Sequence, residues 1–365
     1  MNKQTHLKSL WVLLEIGLLL LSAAAQERPQ NPTPPYPYAA EDITFDSRAD
    51  GIKLAGTLTF PKEGGPFPAA VLISGSGAND RDETIFDHRP FLVLADHLTR
   101  HGIAVLRFDD RGAGKSGGDY MSATISDFAE DVGGAFDYLQ SREEIDPHKI
   151  GLIGHSEGGI IGPMAASRSE GIAFMVLMGA PGFHVYQNLL LAEIIQRKAA
   201  GQSEESTQKM NKMRSRIFDI VREEPDNEKA EEKIRRVIDE TYENLPAPVR
   251  KRLGDRLRIY LINKLRVLLF YDPVPALKKI GCPVLSIHGE KDLQAPSKEN
   301  REAIEKALLD SGHQDHTIIE LEGLNHLLQT AKTGSLTEYA KITETIAPKA
   351  LEVIAGWIRA RFVEH

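Results

Sequence analysis

The sequence predicts an α/β fold, a mostly parallel sheet with helices on both faces, interrupted once by an all-helical insertion. Three observations predict it. Short apolar runs that end in glycine or charge recur along the chain, as buried parallel strands do. Segments with helical spacing alternate with them, which implies a mostly parallel sheet covered on both faces. From residue 183 to 272 the strand pattern disappears, and charged, helix-forming stretches such as "NEKAEEKIRRVIDETYENL" take its place.

Taken in order, "EDITFDS" and "GIKLAGTLTFP" read as two strands around an Asp50–Gly51 hairpin turn. "PAAVLISGSG" is a buried strand ending in glycine, and "FLVLADHLTRHG" a helix stopped by Gly102. "IAVLRFDDRG" is the next strand, "SDFAEDVGGAFDYLQSR" the next helix, then "KIGLIGHS" and "MVLMGAPG" are strands. After the insertion, "PVLSIHGEKD" and "HTIIELEGLNH" complete the set. Acidic and basic residues alternate through the insertion, so its charges read as solvated helix faces.

The chain has 365 residues, 41% hydrophobic and 26% charged, enough for one large α/β domain with an insertion. A net charge of −8 with both signs interspersed gives no nucleic-acid surface. The single cysteine, Cys282, excludes an intrachain disulfide and a cysteine-based metal site. Lys3 and Lys8 precede "LWVLLEIGLLLLSAAA", the pattern of a secretory signal peptide over 1–25, cleaved near Ala25–Gln26. Glu15 is a costly charge within the apolar run; the competing reading is an uncleaved anchor, for which the run is short of a span of about 20 apolar residues. The mature protein is therefore expected to be secreted or periplasmic, with no membrane span. Residues 26–40 are Pro-rich and read as an extended linker. The core is expected over 41–182 and 273–365, and a helical cap over 183–272.

In such sheets, functional groups collect on loops at the carboxyl ends of strands. "GHSEG" places Ser156 between a strand and a helix, the context of a nucleophile elbow, with Gly154 and Gly158 small enough for the tight turn. A capping serine in an ordinary turn is the alternative. Asp292 follows one later strand and His326 the last, 136 residues and then a further 34 along the chain. The order Ser, Asp, His is one of three known for this triad. A serine hydroxyl needs a neutral imidazole to take its proton, and that imidazole needs a carboxylate to orient it. The glycine-rich "ISGSGANDRDE" would bring backbone N–H groups to an oxyanion, with Glu157 and Ser76 as donors and Gly77 in reserve.

Other leads are weaker. His155 is read as pointing away from the elbow and His288 as core. His313 and His316 have metal-like spacing without a third ligand and read as surface. "DRGAGKSGG" carries Asp109 where a phosphate loop needs glycine, so Asp109, Asp110 and Arg111 read as ion-pairing residues that knit the loop.

The ordered set "SGSG…DRD", "FDDRGAGKS", "GHSEGG", "YDP", "HGEKDLQAP" and "GLNH" resembles the α/β-hydrolase superfamily over nearly all of the mature chain. It looks most like EstD-like bacterial serine carboxylesterases. The resemblance implies Ser156 as nucleophile, Asp292 as acid and His326 as base, with Ser76 and Glu157 as oxyanion donors. It implies hydrolysis of small-molecule esters with short acyl chains and no cofactor. Asn325 departs from the small or acidic residues usual before this histidine, with no loss of activity expected. Because the imidazole must be neutral, activity is expected to rise with pH through roughly 6 to 7.5. A peptidase or thioesterase on the same fold is the alternative, and an aminopeptidase would need an acidic cluster in the cap to hold the substrate amine. A non-catalytic binding module would have lost a triad member or an elbow glycine. Acyl length and oligomeric state are not legible.

Overall fold

The computed structural model describes residues 28–363, so the segment read as a signal peptide lies outside the described residues. The chain forms two compact units, one of Glu27–Phe183 with Asp272–His365, the other containing His184–Tyr271.

The larger unit carries eight strands: β1 (Ala39–Asp46), β2 (Lys53–Phe60), β3 (Phe67–Ile73), β4 (Ala104–Phe108), β5 (Ile145–His155), β6 (Met175–Met178), β7 (Val284–Gly289) and β8 (His316–Leu321). In chain order the helices are α1 (Pro90–Arg100), α2 (Ile125–Gln140), α3 (Gly158–Ala166), α4 (Val185–Ala199), α5 (Glu204–Glu223), α6 (Asn227–Thr241), α7 (Ala247–Leu257), α8 (Asn263–Leu269), α9 (Val274–Leu277), α10 (Ser297–Asp310), α11 (Leu336–Tyr339) and α12 (Pro348–Phe362). The sheet order is β1-β2-β4-β3-β5-β6-β7-β8. β1 pairs antiparallel with β2 and β2 antiparallel with β4, and the remaining pairs are parallel. Asp46 pairs with Lys53, so the hairpin turns through Asp50 and Gly51, where Gly51 adopts φ +65°.

Alternate strand residues explain the layers, because side chains of a strand point to opposite faces. Leu72, Val105, Ile153, Val176 and Ile287 pack on one face with Phe91, Leu94 and Leu98 of α1 and Leu351, Ile354 and Ile358 of α12. On the other face, α2 and α3 pack against β3 and β5. Asp127 in the first turn of α2 accepts a 2.7 Å hydrogen bond from the Thr124 backbone N–H, which fixes where the helix begins.

Residues 28–38 do not behave as a linker. Arg28 is buried and donates to the carbonyls of Ile342 (2.5 Å) and Phe86 (2.6 Å). Gln30 both donates to Ile346 O (2.7 Å) and accepts from Thr345 N (2.5 Å), and Tyr38 Oη donates to Asp96 (2.7 Å). Proline content suppresses regular structure, but it does not prevent polar side chains from capping backbone groups of a distant loop.

The smaller unit is all-helical, α4 to α8 with a 3-10 turn over Arg258–Leu261. Met213, Ile217, Phe218 and Val221 of α5 recur at helical spacing and close a core with Ala230, Ile234, Val237 and Ile238 of α6. Ser203 and Asp226 cap α5 and α6 by accepting backbone N–H bonds. Most charges do face solvent, as in the Glu231–Arg235 and Glu232–Arg236 pairs one helical turn apart. Glu193 differs: it is buried with Arg197 and Arg214, and its carboxylate lies 2.8 Å from Arg214 Nη1. No helix among the described residues is long and apolar enough to cross a membrane.

Candidate active site

β5 ends at His155, α3 begins at Gly158, and Ser156 between them holds φ +53°. That left-handed conformation is strained for a residue with a Cβ and marks a sharp strand-to-helix turn. The turn closes tightly. A Cβ on Gly154 would lie 2.2 Å from Gly158 O, and one on Gly158 would lie 2.1 Å from Ile73 O at the end of β3. The Ser156 N–H is anchored 2.9 Å from Met178 O at the end of β6.

Asp292 lies in the turn after β7 and is buried. Its Oδ1 accepts from the N–H groups of Gln294 and Ala295, both at 2.8 Å, which fixes the carboxylate plane. Its Oδ2 lies 2.7 Å from His326 Nδ1. The loop after β8 reaches this position by crossing Gly289, where any Cβ would sit 2.2 Å from Leu324 O. Gly179, immediately after β6, abuts the same pair, since a Cβ there would lie 3.1 Å from His326 Nδ1 and 3.2 Å from Asp292 Oδ2. Ser156, Asp292 and His326 thus follow the carboxyl ends of β5, β7 and β8, with Gly179 at the end of the intervening β6.

The loop after β3 is held at each residue. Ser74 Oγ donates to Asp110 (2.8 Å), Gly75 N to Glu83 Oε1 (2.6 Å) and Gly77 N to Tyr120 Oη (2.9 Å). Ser76 Oγ donates to Glu157 Oε2 at 2.7 Å, so the hydroxyl ties this loop to the elbow. A Cβ on Gly75 would come within 3.2 Å of Ser156 Cβ, which places the loop alongside the serine. The loop after β4 is knit by ion pairs as expected, but with partners elsewhere in the chain. Asp109 is gripped by Arg81 (2.8 Å), and Arg111 pairs with buried Asp131 on α2 (2.6 Å).

Residues 89–332 match the family described as serine aminopeptidase, S33. The chain belongs to this family. The S33-family chain is 26% identical to Esterase EstD of Thermotoga maritima over 328 residues, 89% of this chain and 68% of that protein. It is 28% identical to mouse acyl-coenzyme A thioesterase 1 over 126 residues, 34% of this chain and 27% of that protein. The solved esterase Pf2001 of Pyrococcus furiosus shares the fold, with a TM-score of 0.52, 16% identity and coverage of 89% of this chain and 93% of that one. The S33-family chain is accordingly an EstD-like α/β-hydrolase.

Three residues around this S33-family site escape sequence reasoning. His155 does not point away. Its Nδ1 lies 2.8 Å from Glu83 Oε1, its Nε2 3.0 Å from the carbonyl of His326, and its ring 4.9 Å from the His326 ring. Both partners present acceptor oxygens, an arrangement that favours the protonated ring. Burial works against that charge, but Glu83 outweighs it and raises the His155 pKa. Glu83 itself sits at φ +53° and also receives the Gly75 N–H. Asn325, read as a mild departure, organises the turn that carries His326: its Oδ1 accepts from Leu327 N (3.1 Å) and Gln329 N (2.9 Å). A histidine inside the elbow pentapeptide and an acid closing "DRDE" were the available signals, but no spacing rule links them. His288 is core as expected, its Nε2 2.9 Å from Ala180 O, while His313 is tied to Cys282 O at 2.8 Å.

Proposed function

We propose that the chain is an exported serine carboxylesterase that cleaves short acyl esters through Ser156, His326 and Asp292. The observation that carries this reading is the 2.7 Å Asp292–His326 contact beside a serine raised on a strained turn. Ser156 Oγ attacks the ester carbonyl and its proton passes to His326 Nε2, because Nδ1 is engaged by Asp292. The oxyanion is received by the N–H groups of Ser76 and Glu157. Those of Gly75 and Gly77 are committed to Glu83 and Tyr120, which favours Ser76 over Gly77 as the donor from that loop. His326 then protonates the leaving alcohol, and water repeats the sequence to release the acid. Every proton is carried by His326, so the chemistry asks for no cofactor. Export rests on the segment from Lys3 to Ala25, and a cap role for the helical insertion rests on its place in the chain between β6 and β7.

A panel of p-nitrophenyl esters tests the substrate class. Activity is expected to peak between about two and six acyl carbons. A preference for long chains would point to a lipase-like enzyme instead. The family's aminopeptidase description and the thioesterase relative give a second reading, hydrolysis of amide or thioester bonds. Matched aminoacyl-anilide and acyl-thioester substrates decide between them, and faster turnover of either than of the ester would displace the esterase reading.

His155 is a positioning residue in this scheme, joining the base-bearing loop to the loop after β3. His155→Gln is expected to lower kcat by about 10- to 100-fold with little change in KM, as for a lost constraint on orientation. A proportional rise in KM with kcat intact would contradict it. Because the folded pKa of His155 is raised, its stabilising contribution is full below the unfolded value of about 6.5 and is lost as pH climbs through the raised value. The stability gap between wild type and His155→Gln should therefore narrow in alkaline buffer.

A further inference from the structure

Outside the active site, α1 and α12 bring together a set of side chains that neither the fold nor ester hydrolysis requires. His97 lies in the last turn of α1 and His101 is the residue that caps its C-terminus, four positions further on. Their ring centroids are 4.3 Å apart. From α12, Glu352 reaches the same place, and one ligand atom from each of the three residues lies within 4.8 Å of the others.

The hydrogen bonding of these groups is that of ligands rather than of an ion pair. His97 Nε2 is buried without a hydrogen-bond partner, and its nearest carboxylate oxygen, Glu352 Oε1, is 3.6 Å away. That separation is too long for a hydrogen bond but close to the ligand–ligand distance of about 3.3 Å around an ion with bonds of about 2.0–2.1 Å. His101 Nδ1 lies 2.7 Å from the carbonyl of His97, a contact that fixes the ring and presents Nε2 as its lone pair. A backbone carbonyl on the far nitrogen is the usual support of a metal-bound histidine. The Glu352 side chain is 67% exposed and free to close the remaining gap.

We propose that His97, His101 and Glu352 bind one divalent transition-metal ion of the zinc class. Two imidazoles and a carboxylate suit zinc or nickel, whereas calcium and magnesium call for all-oxygen sets. Water would complete the tetrahedron. The ion would join the first helix of the sheet to the last, segments that begin 258 residues apart, and so act as a staple rather than a catalyst. An ion that binds only the folded chain stabilises it by mass action.

The test uses untagged, chelator-treated protein titrated with zinc chloride and with nickel chloride by calorimetry, alongside thermal unfolding. The expected result is about one ion per chain with Kd on the order of micromolar, and a melting temperature raised by about 5 °C at a hundredfold excess. His101→Ala and Glu352→Gln are expected to weaken binding at least tenfold and to abolish the thermal shift. Both variants should retain wild-type ester hydrolysis with and without metal. His313→Ala, at the other closely spaced histidine pair, is expected to leave binding intact. Absence of saturable binding overturns the proposal, and so does binding that survives His101→Ala or is lost in His313→Ala. Since the readouts are binding and melting, they stand whether or not the esterase reading does.

Discussion

Ser156→Ala is expected to reduce ester turnover by about 10⁴-fold or more, with the circular dichroism spectrum and melting temperature of the wild type. The effect is large because attack and proton transfer act as one unit, and neither Asp292 nor His326 can supply the missing nucleophile. The fold survives because the hydroxyl is not what holds the turn. The Ser156 N–H to Met178 O bond and the close approach of Gly154 to Gly158 O hold it, and alanine keeps both. Ser156→Gly separates chemistry from strain. It is expected to be equally inactive yet more stable by about 1 kcal/mol, since glycine adopts φ +53° without steric cost. Stopped assays of both variants, with urea unfolding of each, supply the measurement. Wild-type rates from Ser156→Ala would remove the nucleophile assignment altogether, and failure of a fluorophosphonate probe to label Ser156 in the wild type would do the same.

The second large effect falls on stability. Gly158→Ala places a methyl group 2.1 Å from Ile73 O and 2.8 Å from Ser74 O, both backbone atoms with no side-chain freedom to yield. Relief requires α3 to move away from β3, which disrupts the elbow and the loop that follows Ser74. A cost of about 3–5 kcal/mol is expected, a large share of the ~5–15 kcal/mol that typically separates folded from unfolded chains. The melting temperature should fall by roughly 10 °C, or the protein should fail to accumulate in soluble form. Gly356→Ala in α12 is the control for the same chemical change. Nothing lies within 4 Å of its added methyl group, and alanine favours the helix interior by about 0.5–1 kcal/mol. Opposite signs for the two substitutions locate the cost in the close approach. Equal tolerance would mean that the elbow is looser than its geometry indicates.

Much of this site is legible in sequence because its chemistry lies at strand ends, and strand ends are announced by apolar runs that stop at glycine. β5, β7 and β8 are each readable in this way, so Ser156, Asp292 and His326 could be ordered without coordinates. The helical insertion is legible for the complementary reason, that strand periodicity stops and helical spacing replaces it. Its polar content is only half legible. Alternating charges correctly indicate solvated faces for Glu231 and Arg235, but the same pattern conceals Glu193, which is buried against Arg214.

By itself, the sequence determined the element order, the parallel sheet, and the loops on which Ser156, Asp292 and His326 stand, because local periodicity and turn chemistry act over a few residues. Only the tertiary structure decided which groups support them. Glu83 meets His155 across 72 residues, Arg28 meets Ile342 across 314, and Glu352 faces His97 from another helix. A histidine carries the same letter whether it ends in solvent, in a carboxylate's reach or beside a second imidazole. Its protonation and its role depend on burial and on partners that only packing brings within a few ångströms.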